Sequence, residues 1–234
     1  MDIIFLAQQS GLSIDTLISI AQFSVIFLFS LSFHEAAHAF MAYKCGDDTA
    51  RLMGRMTLNP VPHIDPIGTL LMPALMLVSA LTGANLRFLI GWAKPVPVNP
   101  LRFRNYNKGE LLVSFAGPFS NLILLMAGAL ICRAILLIFG AEGIFENPVF
   151  TFFLNLVSLN IVLFAFNLIP IHPLDGSHIL RLFLKPKAAE AYDRVIVPYG
   201  FLILIGLMYM RVFDYIYSFM LIPVGFLIFA GTVK

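Results

Sequence analysis

Residues 16–44 read TLISIAQFSVIFLFSLSFHEAAHAFMAYK. From Thr16 to Phe33 the stretch holds no Asp, Glu, Lys or Arg, close to the ~20 apolar residues a helix needs to cross a bilayer. The run does not stop at Phe33. It passes into His34-Glu35-Ala36-Ala37-His38 and continues with helical character to Lys44. Ionisable side chains at the end of a span are expensive and call for a functional reason. Two histidines at i and i+4 share one helical face, so both imidazoles can reach one metal ion. Glu35 sits beside the pair, where it can take a proton from an attacking water and later pass it to a leaving amine.

The rest of the chain has the same solvent. Hydrophobic residues make up 59% and charged ones 12%, with a mean hydropathy of +0.89. A soluble domain carries about 25% charged residues, so most of this chain belongs in lipid. A net charge of +2 is too small to suggest a nucleic-acid partner. The two cysteines, Cys45 and Cys132, lie in or beside apolar segments without framework spacing and read as buried thiols. The first residues, MDIIFLAQQSGLSIDTL, lack a basic n-region and a small-residue cleavage site. The first long apolar run is therefore expected to stay in the mature protein.

Further apolar stretches follow at Ile67–Leu81, which contains Pro73, at Glu110–Ile138 and at Pro148–Ile169. The tail from Val195 to Val233 suffices for two short spans with a turn near Arg211 and Asp214. These make the chain an all-α polytopic membrane protein of about five to six transmembrane helices. A re-entrant or short extended segment is expected near the cytoplasmic face. One domain over residues 1–234 is expected, its catalytic core at about 16–185 and its C-terminal helices at about 195–233.

Charge orients the helices. Lys44–Arg55, Arg87–Lys108, Arg181–Arg194 and Lys234 hold 13 of the 15 Lys and Arg residues. The positive-inside rule puts these regions in the cytoplasm and the N-terminus outside. Lys44–Arg55 and Arg87–Lys108 both belong inside, so the stretch between them crosses an even number of times. A hairpin that dips in and returns fits Pro66, Pro73 and Gly83. A single full span over residues 64–86 with a basic outer loop is the competing reading.

A tetrahedral catalytic site needs a third protein ligand. Asp175, in the stretch NLIPIHPLDGSH from Asn167 to His178, follows the inner end of the fourth long apolar run, counting Ile67–Leu81. The histidine pair lies toward the inner end of the first, so the charge-derived topology puts all three at similar depth. Pro170 and Pro173 break the helix and Gly176 permits a turn, so Asp175 can project from an irregular segment. Asn160 and Asn167, seven apart, share a face that suits either a polar cavity wall or interhelical hydrogen bonding. His63 either lines the site or braces its loop. His178 either orients Asp175 or faces the cytoplasm. Cys45 is roughly 10 Å along the helix from His38, too far to share the metal.

HEAAH on an early span, Gly117-Pro-Phe-Ser-Asn121 on a middle one and NLIPIHPLDG on a later one resemble the site-2 protease family of intramembrane zinc metalloproteases. The likeness covers roughly residues 30 to 185 and is to the compact bacterial branch without an extra regulatory domain. It implies one zinc ion per chain held by His34, His38 and Asp175, with Glu35 as general base. It implies that Asn121 and Asn167 hold substrate or polarise its carbonyl. A transmembrane protein substrate, a bacterial plasma membrane and a site toward the cytoplasm follow from it. His172 stands where the family pattern has a small or apolar residue, so its role is either spectator or tuner beside the metal. A metal transporter would also need buried His and Asp, but it is expected to carry repeat symmetry, and Glu35 has no transport role.

Overall fold

The computed structural model describes residues 14–71, 74–75 and 91–231. Among these, every regular element is helical. The α-helices are α1 (Ile14–Cys45), α2 (Thr49–Leu52), α3 (Tyr106–Phe139), α4 (Pro148–Asn167), α5 (Asp175–Phe183), α6 (Pro186–Tyr209) and α7 (Val212–Phe229), with short 3-10 turns at Val61–His63, Pro100–Arg102 and Ile144–Glu146. A π turn covers Pro66–Leu71. Helices α1, α3, α4, α6 and α7 are long and apolar enough to cross a membrane, and the chain is an integral membrane protein.

Local chemistry sets the helix ends. Asn105 caps α3 by accepting from the Lys108 amide, and Gly140, at a φ of 81°, ends it. Asn147 caps α4 by accepting from the amides of Val149 and Phe150, and Pro148 occupies the first turn, where no N–H is needed. Arg211, in the left-handed region, makes the turn between α6 and α7 where the sequence suggested one. The tail differs from expectation at its start. Helix α6 begins at Pro186, so Lys187 and Arg194 ride on its first turns and lie on a helix, not in a loop. Pro186 has its φ preset for a first helical position, and the charged turns extend the apolar run outward. Arg133, within the α3 span, turns its guanidinium onto the carbonyls of Leu227 and Ala230. It thereby satisfies orphan carbonyls at the end of α7.

Leu125, Ala129, Cys132 and Leu136 recur at helical spacing on α3 and pack against Phe150, Val157 and Ile161 of α4 and Val224 and Ile228 of α7. In lipid such contacts depend on close van der Waals fit. Gly128 supplies it: a Cβ there would lie 2.9 Å from a Val157 methyl. The opposite side of α3 exposes Phe115, Phe119, Ile123, Met126 and Leu130, the face for lipid.

The end of α1 and the start of α3 lie together. The Arg104 amide donates to the Cys45 carbonyl at 2.9 Å, Arg102 pairs with Asp48, and the Asn99 amide donates to Asp47 at 2.6 Å. In a membrane protein, ends that touch in this way lie on one side, so an even number of crossings separates them. That excludes a single span with the basic stretch around Arg102 on the far side. Whether the segment within 64–86 re-enters or spans twice falls largely outside the described residues.

Candidate metal centre

The HEAAH turn sits deep in α1. His34, Glu35 and His38 are all buried, as are Ser32 and Ser30, about half a turn and one turn before His34. Gly117 of α3 lets the imidazoles fit. A Cβ on that glycine would fall 2.3 Å from His38 Nε2 and 2.6 Å from His34 Nε2. The Gly117-Pro-Phe-Ser-Asn121 turn is thus the floor on which the pair rests. Asp175 opens α5, its backbone freed from α4 by the proline-rich connection. Gly176 presses that helix start onto the end of α4, where a Cβ would meet the Leu168 carbonyl oxygen at 2.3 Å.

Three sequence-predicted residues meet here. His34 Nε2 and His38 Nε2 are 2.9 Å apart. Asp175 approaches them at 3.3 Å and 3.4 Å, one carboxylate oxygen to each. Among the described residues, these three are the group able to close on one ion. Their outer nitrogens are spoken for. His38 Nδ1–H donates to the Val113 carbonyl at 2.7 Å, and His34 Nδ1–H donates to Asn121 Oδ1 at 2.7 Å. A neutral imidazole that donates through Nδ1 carries a lone pair on Nε2. With both rings neutral, two such lone pairs and a carboxylate converge in one buried place, an arrangement that a cation among them would relieve. Asp175 Oδ2 is buried and has no hydrogen-bond partner. The separations also bracket the ~3.3 Å between ligand atoms that bonds of about 2.0–2.1 Å give at a tetrahedral ion. The donor set fits zinc.

Glu35 points elsewhere. Its Oε2 accepts from the Val96 amide at 2.7 Å, so a strap of chain from Gly91 to Asn99 crosses beside this carboxylate. The strap has neither helix nor turn, as its sequence dictates: Lys94, Val96 and Asn99 each precede a proline and are pushed to extended backbone. It is held along its length. The Lys94 amide donates to the His63 carbonyl at 2.9 Å, and the Arg55 guanidinium donates to the Lys94 carbonyl at 2.7 Å. Asp47, fully buried, fastens the far end through Asn99 and also accepts from the Thr49 amide and hydroxyl. Burial opposes ionisation of Asp47, but these donors hold its carboxyl below the usual carboxylate range. Sequence reasoning missed Asp47 and Arg55, counting them only as parts of a charged loop. The signal was the tight Gly46-Asp47-Asp48-Thr49 turn after a helix end.

The other expected residues fall in different places. Asn121 is fully buried and both ends of its amide are engaged, with Nδ2 donating to Asn160 Oδ1 at 2.9 Å. Its oxygen is the acceptor for His34. Asn160 answers its alternative as an interhelical bond, reaching Ser30 of α1 at 2.9 Å. Asn167, at the end of α4, is half-buried and donates from Nδ2 to the Leu163 carbonyl. His63 braces its loop by donating from Nε2 to the Thr57 carbonyl at 2.9 Å. His172 is half-buried, and its main-chain carbonyl lies over Gly200 of α6. His178 meets Glu110 of α3 at 3.0 Å, and that bond raises its imidazole above the ordinary value. None of these three histidines joins the His34–His38–Asp175 group.

The model of peptidase family M50 matches residues 133–207, the stretch that holds Asn167 and Asp175. The chain is 40% identical over 185 residues to YwhC of Bacillus subtilis, whose name ascribes zinc metalloprotease activity to it; the match covers 78% of each chain. Similarity extends to the Rip2 proteins, named in the same way. That of Mycolicibacterium smegmatis is 31% identical over 188 residues, 77% of this chain and 64% of its own length. That of Mycobacterium tuberculosis is 33% identical over 166 residues, 70% of this chain and 58% of its own. No solved structure matches the chain. A relative this similar over so much of both chains, joined to the family match around Asp175, decides the matter: the chain belongs to peptidase family M50, the site-2 protease family of membrane metalloproteases.

Proposed function

We propose that the chain is an intramembrane zinc endopeptidase that cuts membrane proteins in or beside their transmembrane segments, with one zinc ion held by His34, His38 and Asp175. The observation that carries this reading is the convergence of two Nε2 atoms and a carboxylate oxygen without a hydrogen-bond partner, with both Nδ1 atoms tied outward. When bound, zinc supplies an activated water and a Lewis acid for the scissile carbonyl. Glu35 is the general base: it receives the proton of the attacking water and returns it to the leaving amine. The Val96 amide fixes one oxygen of that carboxylate and leaves the other for the proton. Asn167 is the asparagine left for substrate, since Asn121 is spent on His34.

The setting is the plasma membrane of a bacterium, with the N-terminus outside and the site toward the cytoplasm. The basic stretches around Arg55, Arg104 and Arg194 and the bacterial origin of the relatives named above support it. A substrate helix has its amides paired internally, so the enzyme must open it before a carbonyl can be attacked. The strap from Pro95 to Asn99 is the segment suited to receive the opened chain. The neighbouring stretch Arg51–Asn59 is a helical turn followed by bends and offers no extended edge.

Glu35→Gln tests the base and Asp175→Ala the metal. The first should keep zinc at one ion per chain and lose cleavage of a reconstituted transmembrane substrate. The second should lose most of the zinc. Cleavage surviving Glu35→Gln removes the base, and unchanged zinc in Asp175→Ala removes the ligand.

A further inference from the structure

The two imidazoles are oriented by different means. His38 donates to a main-chain carbonyl, that of Val113, which accepts and can do nothing else. His34 donates to the side-chain amide of Asn121, whose two ends differ: turned over, it would present NH2 to Nδ1 and leave the Nδ1–H form without an acceptor. Something must fix that amide. Its Nδ2 donates to Asn160 Oδ1 at 2.9 Å, and Asn160 Nδ2 donates to Ser30 Oγ and to the Leu156 carbonyl, each at 2.9 Å. Both asparagines are wholly excluded from solvent, and so is Ser30.

We infer that Asn160, anchored on the Leu156 carbonyl and Ser30, is the positioning residue that sets the tautomer of His34 through Asn121. The direction of the chain follows from its last member. A main-chain carbonyl only accepts, so Asn160 must turn NH2 toward Leu156 and oxygen toward Asn121. Reversed, it would set two oxygens 2.9 Å apart and two NH2 groups face to face. Asn121 is then forced to turn NH2 toward Asn160 and oxygen toward His34, and His34 must carry its proton on Nδ1. Nε2 is left bare toward His38 and Asp175. Thus α4 prepares a ligand carried by α1, through the Asn121 amide of α3.

This inference rests on the reading of His34 as a zinc ligand, and the experiment separates the two. Full-length protein in detergent is titrated with Zn2+ against a competing chelator, and the visible spectrum of the Co2+ form is recorded at saturation. Asn160→Leu should weaken zinc binding by about 10- to 100-fold, the usual effect of losing an outer partner of a metal-binding histidine, and should alter the Co2+ bands. Ser30→Ala, which leaves the Leu156 carbonyl in place, should cause a smaller loss in the same direction. Asn121→Asp offers His34 an acceptor at either oxygen and needs no relay. In that background Asn160→Leu should cause no further loss.

An equal loss in both backgrounds would make Asn160 a packing residue and overturn the inference. So would wild-type affinity and spectrum in Asn160→Leu, a measurement that stands even if Asn121→Asp fails to fold. His34→Ala is the control for the underlying reading. Unchanged zinc affinity there removes the ligand assignment itself, whereas a large loss there beside a silent Asn160→Leu removes the relay alone.

Discussion

Replacing Gly117 by alanine should empty the metal site without disturbing the fold around it. The added Cβ would lie 2.3 Å from His38 Nε2, 2.5 Å from His34 Cε1 and 2.6 Å from His34 Nε2. Ordinary contact begins near 3.4 Å, so the shortfall at His38 is about 1.1 Å. Neither ring can swing away freely, because each is held at Nδ1 by a buried acceptor. The displacement therefore falls on the Nε2 atoms themselves, and misplacement of a reacting group by ~1 Å can cost on the order of 100-fold. Zinc content after dialysis, zinc affinity by chelator competition and helix content by circular dichroism are the measurements. Gly206→Ala is the control, since nothing lies within 4 Å of a Cβ there and alanine in a helix is mildly stabilising relative to glycine. Gly117→Ala that binds zinc as tightly as Gly206→Ala would refute the close packing of the pair on α3.

Asp47→Ala should leave the Asn99 amide without its partner, costing about 1–3 kcal/mol of stability. It should lower turnover more than zinc content, because the loosened strap also carries the amide that holds Glu35; equal loss of both would point to general unfolding. The raised His178 contributes stability that is complete below its ordinary pKa near 6.5 and fades as pH rises through the higher folded value. Thermal midpoints of wild type and His178→Gln should therefore differ at mildly acidic pH and converge in alkaline buffer, and a gap that widens with pH would break the link to Glu110. A cysteine introduced at Asn99 should react with a membrane-impermeant reagent only from the cytoplasmic side, and labelling from outside would reverse the orientation.

The parts legible in the sequence are those where one residue type has few uses. Three ionisable residues in one turn at the end of an apolar run announce a site, and Asp175 among proline and glycine announces a partner. The five long helices follow from unbroken apolar length, with Asn105 and Asn147 marking two of their starts. Less legible were the polar residues whose use depends on a neighbour from another helix. Asn121 reads equally well as a substrate contact or a buried brace until His34 and Asn160 are seen on either side of it. The start of α6 was misplaced because hydropathy alone ends a helix where charges begin, and Pro186 outweighed that signal. Asp47 escaped notice because its partner, the Asn99 amide, lies 52 residues away and belongs to the main chain, which no side-chain pattern reports.

The strap beside Glu35 also constrains what could be held there. Pro95, Pro97 and Pro100 have no N–H to give. The amides of Lys94, Val96 and Asn99 are already spent on the His63 carbonyl, Glu35 and Asp47. Of the residues from 94 to 100, only Val98 has an amide for which no partner is seen among the described residues. A peptide laid along this strap would thus find one such amide and the carbonyls of Val96, Pro97 and Val98, since those of Lys94, Pro95, Asn99 and Pro100 already accept from Arg55, Arg102 and Phe103. That asymmetry suits an opened transmembrane helix. Its freed N–H groups are the ones stranded in lipid, at several kcal/mol apiece if left bare, while the carbonyl at the point of cleavage is wanted at the metal. The prolines serve a second end as well, since a sheet edge short of donors is a poor template for other strands. A donor-poor strap can therefore lie open beside the Glu35 carboxylate, receive N–H groups from a chain that needs to place them, and leave that chain's carbonyls unclaimed.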